Sequence, residues 1–245
     1  PAGQPKHSPE ELALIEEEKS VAKRMPPAKT SASTFYAYMA GLNYMLLGNP
    51  HKARWYFQRV DQLFEKKSDK PLDLYAKRKA TEMLARNFGD RKEDAILDAA
   101  ELILMWNGAS QMSDSSLRTM IDLLTSAESL RLPHWKVEQY AAVYLFRADL
   151  YKGLADLPSA LKEIQIFLSL VPQFEKSAKA KLDGIIPIGY YTSAFLLVIS
   201  NQLQLAQEHL KKAKSFKGYD QENQIAIRCH ALEQRIQRAK VQQVE

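Results

Sequence analysis

The feature that most constrains the fold is a pattern of small and large residues that occurs three times along the chain. Each copy begins with a small residue, Gly or Ala, and a Tyr or Leu follows it three positions later. Further along the chain comes an alanine, and a Phe, Ile or Leu follows that alanine four positions later. The pattern covers residues 41–57, 148–164 and 194–210. In each copy nine positions separate the Tyr or Leu from the alanine: 44 to 53, 151 to 160 and 197 to 206. The identical spacing indicates a repeated structural unit.

This unit matches the tetratricopeptide repeat, a helix–turn–helix of about 34 residues. In that repeat a small residue lets the two helices approach closely, and a large side chain fills the neighbouring gap. Turn-forming residues such as Gly48, Asn49 and Pro50 lie between the two halves, where a break is expected. We therefore predict an all-α fold, a tetratricopeptide-type helical-repeat superhelix (α-solenoid) with a C-terminal capping helix. Generic amphipathic hairpins of a helical bundle are the alternative.

The helical periodicity divides the chain into an N-terminal segment, residues 1–33, and a helical-repeat domain, residues 34–241. Repeat units are predicted near 34–67, 91–130, 141–174 and 187–218, followed by a capping helix over 221–241. A helix near residues 73–86 has no partner in this frame, so we expect it to pack irregularly. In the N-terminal segment, Ser8 and Glu11 form a capping box that predicts a peripheral helix ending before Pro26.

Composition and charge narrow the setting. The single cysteine, Cys229, excludes an intrachain disulfide and favours a reducing compartment, the cytoplasm or also the nucleus. The net charge is +5, with basic clusters at 66–79 and 211–217. We interpret both clusters as solvated helix faces and expect no nucleic-acid partner, because few aromatics and no nucleic-acid motif accompany them. Because the sequence begins with Pro1 and not Met, we expect it to be a piece of a longer protein.

The run from 184 to 207 carries no charged residue and could suggest a membrane span. Its apolar part is shorter than the roughly 20 residues that a span needs, and glycine, proline and amide residues interrupt its ends. We therefore predict that this run is interior to a soluble fold, with Phe195 and Leu197 largely buried. Membrane association, if any, would then be peripheral and not integral.

Catalytic signatures are absent from the sequence. It contains no nucleotide-binding loop, zinc-protease helix or hydrolase elbow. The five histidines are scattered, and none has another histidine three or four positions away, so we predict no metal site and no cofactor. Glu101 lies within an apolar run, and we expect it at the exposed edge of its helix. The chain is therefore predicted not to be an enzyme.

Three stretches carry a more specific likeness. Residues 60–79 follow a repeat helix and end in a basic pair, residues 102–108 end an apolar helix in W-N-G, and residues 206–228 contain K-G-Y-D-x-E. Together these stretches resemble the C-terminal half of the tetratricopeptide repeat protein 39 family of animals and its fungal relatives, the inclusion body clearance proteins. The resemblance implies a helical-repeat scaffold of the cytosol or nucleus without established catalytic residues. Its fungal members are linked to clearing protein inclusions with the help of lipid-droplet components.

We predict that the first helices of the repeats line a concave groove that binds a peptide or helix of a protein partner. Asp149 and Lys152 are the most informative candidates, because they share a helix face and match no packing position of the repeat. The apolar candidates have core packing as their alternative. The alternative function is a lipid-droplet or membrane-surface adaptor that uses the basic clusters. The groove candidates are Phe35, Tyr38, Leu42, Met45, Leu145, Asp149, Lys152, Tyr191, Phe195 and Val198.

Overall fold

The computed structural model describes residues 33–65, 70–85 and 92–242. Over these residues the regular structure is entirely helical, which confirms the predicted all-α class. The predicted N-terminal peripheral helix lies outside the described residues. A short 3-10 turn, Gly108–Gln111, follows the helix that ends at Met105. In chain order the helices are α1 (Ser33–Leu46), α2 (Pro50–Leu63), α3 (Pro71–Ala85), α4 (Lys92–Met105), α5 (Asp114–Ser129), α6 (Val137–Gly153), α7 (Leu157–Phe174), α8 (Ala178–Asp183), α9 (Ile185–Ile199), α10 (Leu203–Ser215) and α11 (Glu222–Gln242).

Short polar side chains start several of these helices where the sequence predicted turns. Asn49 accepts the backbone N–H of Lys52 at 3.0 Å and starts α2. Asp156 accepts the backbone N–H of Ser159 at 3.2 Å and starts α7 in the same way. Each of these side chains satisfies a donor that the first turn of a helix leaves without a partner. Local sequence therefore fixes where the second helix of a hairpin begins.

The three copies of the repeat pattern form three helical hairpins, α1–α2, α6–α7 and α9–α10. Ala53, Ala160 and Ala206 are fully buried between the paired helices, as the pattern predicted. Gly41 supplies the close approach in the first hairpin, because a Cβ atom added there would lie 2.5 Å from the Phe57 ring. Successive hairpins pack side by side, α7 against α9 and α5 against α6, which confirms a helical-repeat solenoid.

Two hydrophobic cores lie along the stack, and α4 contributes to both. The first core gathers the buried side chains of α1, α2 and α3, together with Ala95 and Met105 of α4. The second core extends from Leu97 and Leu104 of α4 to the last helix. Helix α3 packs against both α1 and α2, so the helix without a partner in the repeat frame completes the first core.

The C-terminal helix behaves as the sequence predicted for a cap. Its residues Ile225, Cys229, Leu232 and Ile236 are buried on one face and belong to the second core. Helix α9, in the uncharged run, is buried along most of its length, with Leu197 buried and Phe195 half-buried. Among the described helices, none has the length and apolar character that crossing a membrane requires.

Side chains far apart in sequence also join the two cores. Arg78 on α3 donates to Oδ2 of Asp220 at 2.5 Å and lies 2.6 Å from Oδ1 of Asp183. Beside this contact Tyr219 packs directly over Gly184, where any side chain would collide with its ring. Tyr219 and Asp220 are the Tyr and Asp of the K-G-Y-D-x-E stretch. This stretch therefore holds the beginning of the repeat stack against its end.

Candidate functional site

Six of the ten groove candidates are core residues in the structure. Helix α1 does not present its inner face to a groove, because α3 and α4 pack on it. Tyr38 shows this most clearly, since its hydroxyl donates to Asp98 of α4 at 3.1 Å and its ring meets Tyr75 of α3 at 5.9 Å. For these residues the core alternative of the sequence interpretation applies. The six candidates that belong to the hydrophobic core are Phe35, Tyr38, Leu42, Met45, Leu145 and Val198.

The other four candidates come together on one surface. Lys152 forms an ion pair with Asp149 one turn away on α6. The Lys152 Nζ also lies 5.4 Å from the ring centroid of Phe195 on α9, and the Phe195 ring lies 6.4 Å from that of Tyr191. We call Asp149, Lys152, Tyr191 and Phe195 the α6–α9 face. It contains adjacent first helices of two successive hairpins, as the repeat frame predicted.

The exposure of these four residues differs from the expectation in one respect. Asp149 is only 2% exposed, although it matches no packing position of the repeat and was expected to line a groove. The side chain of Lys152 is 20% exposed and covers the carboxylate, while the rings of Tyr191 and Phe195 are half-buried. Sequence spacing placed Asp149 and Lys152 on one helix face, but neighbouring helices determine how deeply Asp149 lies.

The electrostatic surroundings of the α6–α9 face are mixed. Burial raises the pKa of the Tyr191 hydroxyl; the guanidinium of Arg228 lowers this pKa, and Cys229 and Asp149 raise it. Arg228 itself donates to the last carbonyl oxygens of α4, those of Leu104 at 3.4 Å and Met105 at 2.5 Å. Oδ2 of Asp149 is buried and has no hydrogen-bond partner among the described residues. The face thus combines aromatic rings, a cation and a buried acceptor with unused capacity.

A second polar feature, which sequence reasoning missed, lies between α3 and α4. Lys79 is almost fully buried and its Nζ lies 2.5 Å from Oε2 of Glu101 and 3.5 Å from Oδ1 of Asp98. The hydroxyl of Tyr75 donates to Oε1 of Glu101 at 3.1 Å. The expectation that Glu101 lies at an exposed edge is wrong, because α3 packs over this part of α4. A usable signal was present: Asp94, Asp98 and Glu101 form one stripe on an otherwise apolar helix.

The pKa of one carboxyl group in this cluster, that of Glu101, is shifted from its ordinary value. Burial raises the pKa of Glu101 to about 7; Lys79 lowers it, and Asp183 and Asp98 raise it further. Burial acts to lower the pKa of Lys79, but the carboxylates of Asp98 and Glu101 outweigh burial and raise it well above its usual range. A pocket of about 60 Å³ adjoins the cluster and is also lined by Glu138. That volume suits a few water molecules.

The interpretation of the basic clusters as solvated helix faces is wrong at two positions of the first cluster. Arg78 contacts Asp183 and Asp220, and Lys79 is buried with Glu101. Lysines of the second cluster also contact carboxylates: Lys212 with Glu175, Lys214 with Glu233 and Lys217 with Glu222. These ion pairs reduce the positive charge that a lipid-surface adaptor would need.

A Ser–His contact on the described residues resembles part of a nucleophile–base pair. Ser193 lies 2.8 Å from Nδ1 of His209, and burial lowers the pKa of His209. Ser193 is only 3% exposed and lies between α9 and α10, where a substrate has no access. This contact is therefore part of hairpin packing.

The comparison with known families agrees with this architecture. A sequence profile of the family described as Iml2/Tetratricopeptide repeat protein 39 matches residues 20–154, more than half of the chain. The matched part includes the first core, the Lys79–Glu101 cluster and the α6 half of the α6–α9 face. Tyr191 and Phe195 lie beyond it. On this match, which agrees with the resemblance of the W-N-G stretch, the chain belongs to the Iml2/Tetratricopeptide repeat protein 39 family.

Proposed function

We propose that this chain is a non-enzymatic scaffold that binds a peptide or helical segment of a protein partner at the α6–α9 face. Helical-repeat families of this type generally mediate protein–protein interaction, and the match to such a family supports that role. The observation that carries the location is the cluster of half-buried aromatic rings beside the Asp149–Lys152 pair. Aromatic anchors next to charged groups are typical of residues that contribute most to binding energy.

The proposal is tested by affinity capture with the parent chain and with a Tyr191→Ala/Phe195→Ala variant. Proteins captured by the parent and lost with the variant are purified, and their affinity is measured directly. We expect the double substitution to weaken binding by about tenfold or more, as for anchor residues. Tyr36→Ala is the matched control, since this aromatic residue is 62% exposed on α1, away from the face. A partner that binds both variants as tightly as the parent would locate its site elsewhere.

We propose further that the partner acts in the clearance of protein inclusions, in the cytoplasm or nucleus. The support is the resemblance to the fungal inclusion body clearance proteins. Cells that lack this protein should retain inclusions of an aggregation-prone fluorescent reporter for longer. Re-expression of the parent chain, but not of the Tyr191→Ala/Phe195→Ala variant, should restore clearance. Equal clearance with both would separate the α6–α9 face from this process.

A further inference from the structure

We infer that the α6–α9 face recognises an arginine side chain of the partner, and that Lys152 occupies the place of this arginine in the free chain. The inference rests on the proposed function, since it identifies the chemistry of the segment that binds there. It comes from the way in which Lys152 is held.

The groups around Lys152 are those that recognise a cation. Its ammonium group is paired with Oδ1 of Asp149 on one side. On the other side it lies 5.4 Å from the centroid of the Phe195 ring, within the range of a cation–π contact. Tyr191 extends the aromatic surface next to Phe195. A carboxylate and an aromatic ring therefore flank a position that a cation of the protein itself fills, and a second ring lies beside the first.

Lys152 leaves this position incompletely used. Within the part of the chain that the structure describes, Oδ2 of Asp149 has no hydrogen-bond partner, although the Asp149 side chain is only 3% exposed. A buried acceptor without a donor is unfavourable. An ammonium group bonds as a point charge, whereas a guanidinium group presents a planar fork that donates to both oxygens of one carboxylate. The same planar group stacks well on an aromatic ring, so arginine fits the face better than lysine.

The position can also be reached. The side chain of Lys152 is 20% exposed, and its flexible stem can turn outwards and open the space above Asp149. The nearby Arg228 does not fill this role, because its guanidinium donates to the carbonyl oxygens of Leu104 and Met105. An incoming arginine would therefore compete with Lys152 alone.

The test removes Lys152 and supplies arginine from solution. The Lys152→Ala variant of the whole chain is melted in increasing millimolar N-acetyl-arginine amide, with N-acetyl-citrulline amide as the uncharged counterpart and N-acetyl-lysine amide as the ammonium counterpart. We expect a saturable recovery of more than half of the lost melting temperature with arginine, less with lysine and none with citrulline. The parent should bind the arginine compound about tenfold more weakly than the variant, because Lys152 competes.

Lys214→Ala is the matched control, since Lys214 also pairs with a carboxylate, that of Glu233, but on an exposed surface. Should Lys152→Ala not fold, Lys152→Gln keeps most of the length of the side chain and removes its charge. An equal response of the Lys214 variant, or no saturable response of either Lys152 variant, would overturn the inference. The proposed function would then still stand if the Tyr191→Ala/Phe195→Ala variant loses its partner.

Discussion

The Asp149–Lys152 pair removes a carboxylate from water and compensates it with one cation. Such a pair contributes little net stability compared with apolar residues of similar size, but loss of one partner leaves an uncompensated buried charge. The effect of a substitution on the free energy of unfolding therefore depends on how deeply the ion pair is buried. Exposed pairs elsewhere in the chain, such as Lys214–Glu233, do not have this property.

We predict that the free energy of unfolding responds non-additively to substitutions in this pair. Lys152→Ala should lower it by about 1–3 kcal/mol, because the carboxylate of Asp149 then has no cation. The double substitution Asp149→Ala/Lys152→Ala should cost less than Lys152→Ala alone. Urea unfolding of the parent, both single variants and the double variant measures the coupling. Additive effects would mean that the carboxylate is well solvated in the folded chain.

Glu101 leads to a prediction of how the free energy of unfolding depends on pH. Its pKa is about 7 in the folded chain, against an ordinary value of 4.5. Between these values the folded state binds the proton more tightly than the unfolded state, so the free energy of unfolding falls as pH rises. The fall should amount to about 1–3 kcal/mol from pH 5 to pH 8.

The comparison for Glu101 is the pH dependence of a Glu101→Gln variant, measured by urea unfolding at each pH. The amide cannot ionise, so we expect its stability to change less over this range than that of the parent. Glu233→Gln, at an exposed ion pair, should keep the parental pH dependence. Identical slopes for the parent and Glu101→Gln would show that another group carries the proton.

At the residue level, the sequence predicts which face of a helix a residue lies on better than how deeply that residue is buried. The spacing of Asp149 and Lys152 is sufficient to place both on one face, since it depends only on helix geometry. Their burial depends on α9, which is distant in sequence. Glu101 illustrates the same limit, because Tyr75 and Lys79 of α3 contact its carboxylate and largely cover it. Local periodicity contains no information about that contact.

At the level of helices, the first hairpin depends on the absence of a side chain at Gly41. Phe57 is fully buried and cannot move away from an added methyl group. The repeat pattern predicted this contact because both residues lie within one hairpin. By contrast, α3 matches no repeat position, and its role in completing the first core could not be read from the pattern.

Gly41→Ala should therefore destabilise the chain by about 1–3 kcal/mol through overpacking, despite the better helix propensity of alanine. Phe57→Leu in the same chain should recover part of the loss, because the smaller side chain leaves room for the methyl group. Thermal or urea unfolding of the two single variants and the double variant measures this. A Gly41→Ala variant as stable as the parent would mean that the two helices are not in close contact.

At the level of the whole molecule, Arg78 connects the first core to residues near the end of the stack. Its guanidinium contacts Asp183 and Asp220 as well as Glu82 on its own helix. The family profile ends at residue 154 and the repeat pattern describes neighbouring helices, so neither predicts a contact between residues 142 positions apart. For this reason the interpretation of the basic run as a solvated helix face is wrong for Arg78.

Arg78→Ala should lower the free energy of unfolding by about 2 kcal/mol or more, since two partly buried carboxylates lose their cation. Backbone hydrogen exchange should increase together in α3 and in residues 216–221. Lys77→Ala is the neighbouring control, because Lys77 pairs with Asp61 on an exposed surface. Faster exchange in α3 alone would mean that Arg78 only stabilises its own helix.

The Arg78 connection also has a mechanical consequence. An open solenoid extends and shortens elastically, because each repeat contacts only its neighbours and small changes in the packing of successive repeats add up along the stack. Here Arg78 links the first core to Asp220, so the stack cannot lengthen or change its pitch until this contact breaks. A tensile force applied between α1 and α11 would therefore first be resisted by this contact, and the stack would extend abruptly once the contact breaks.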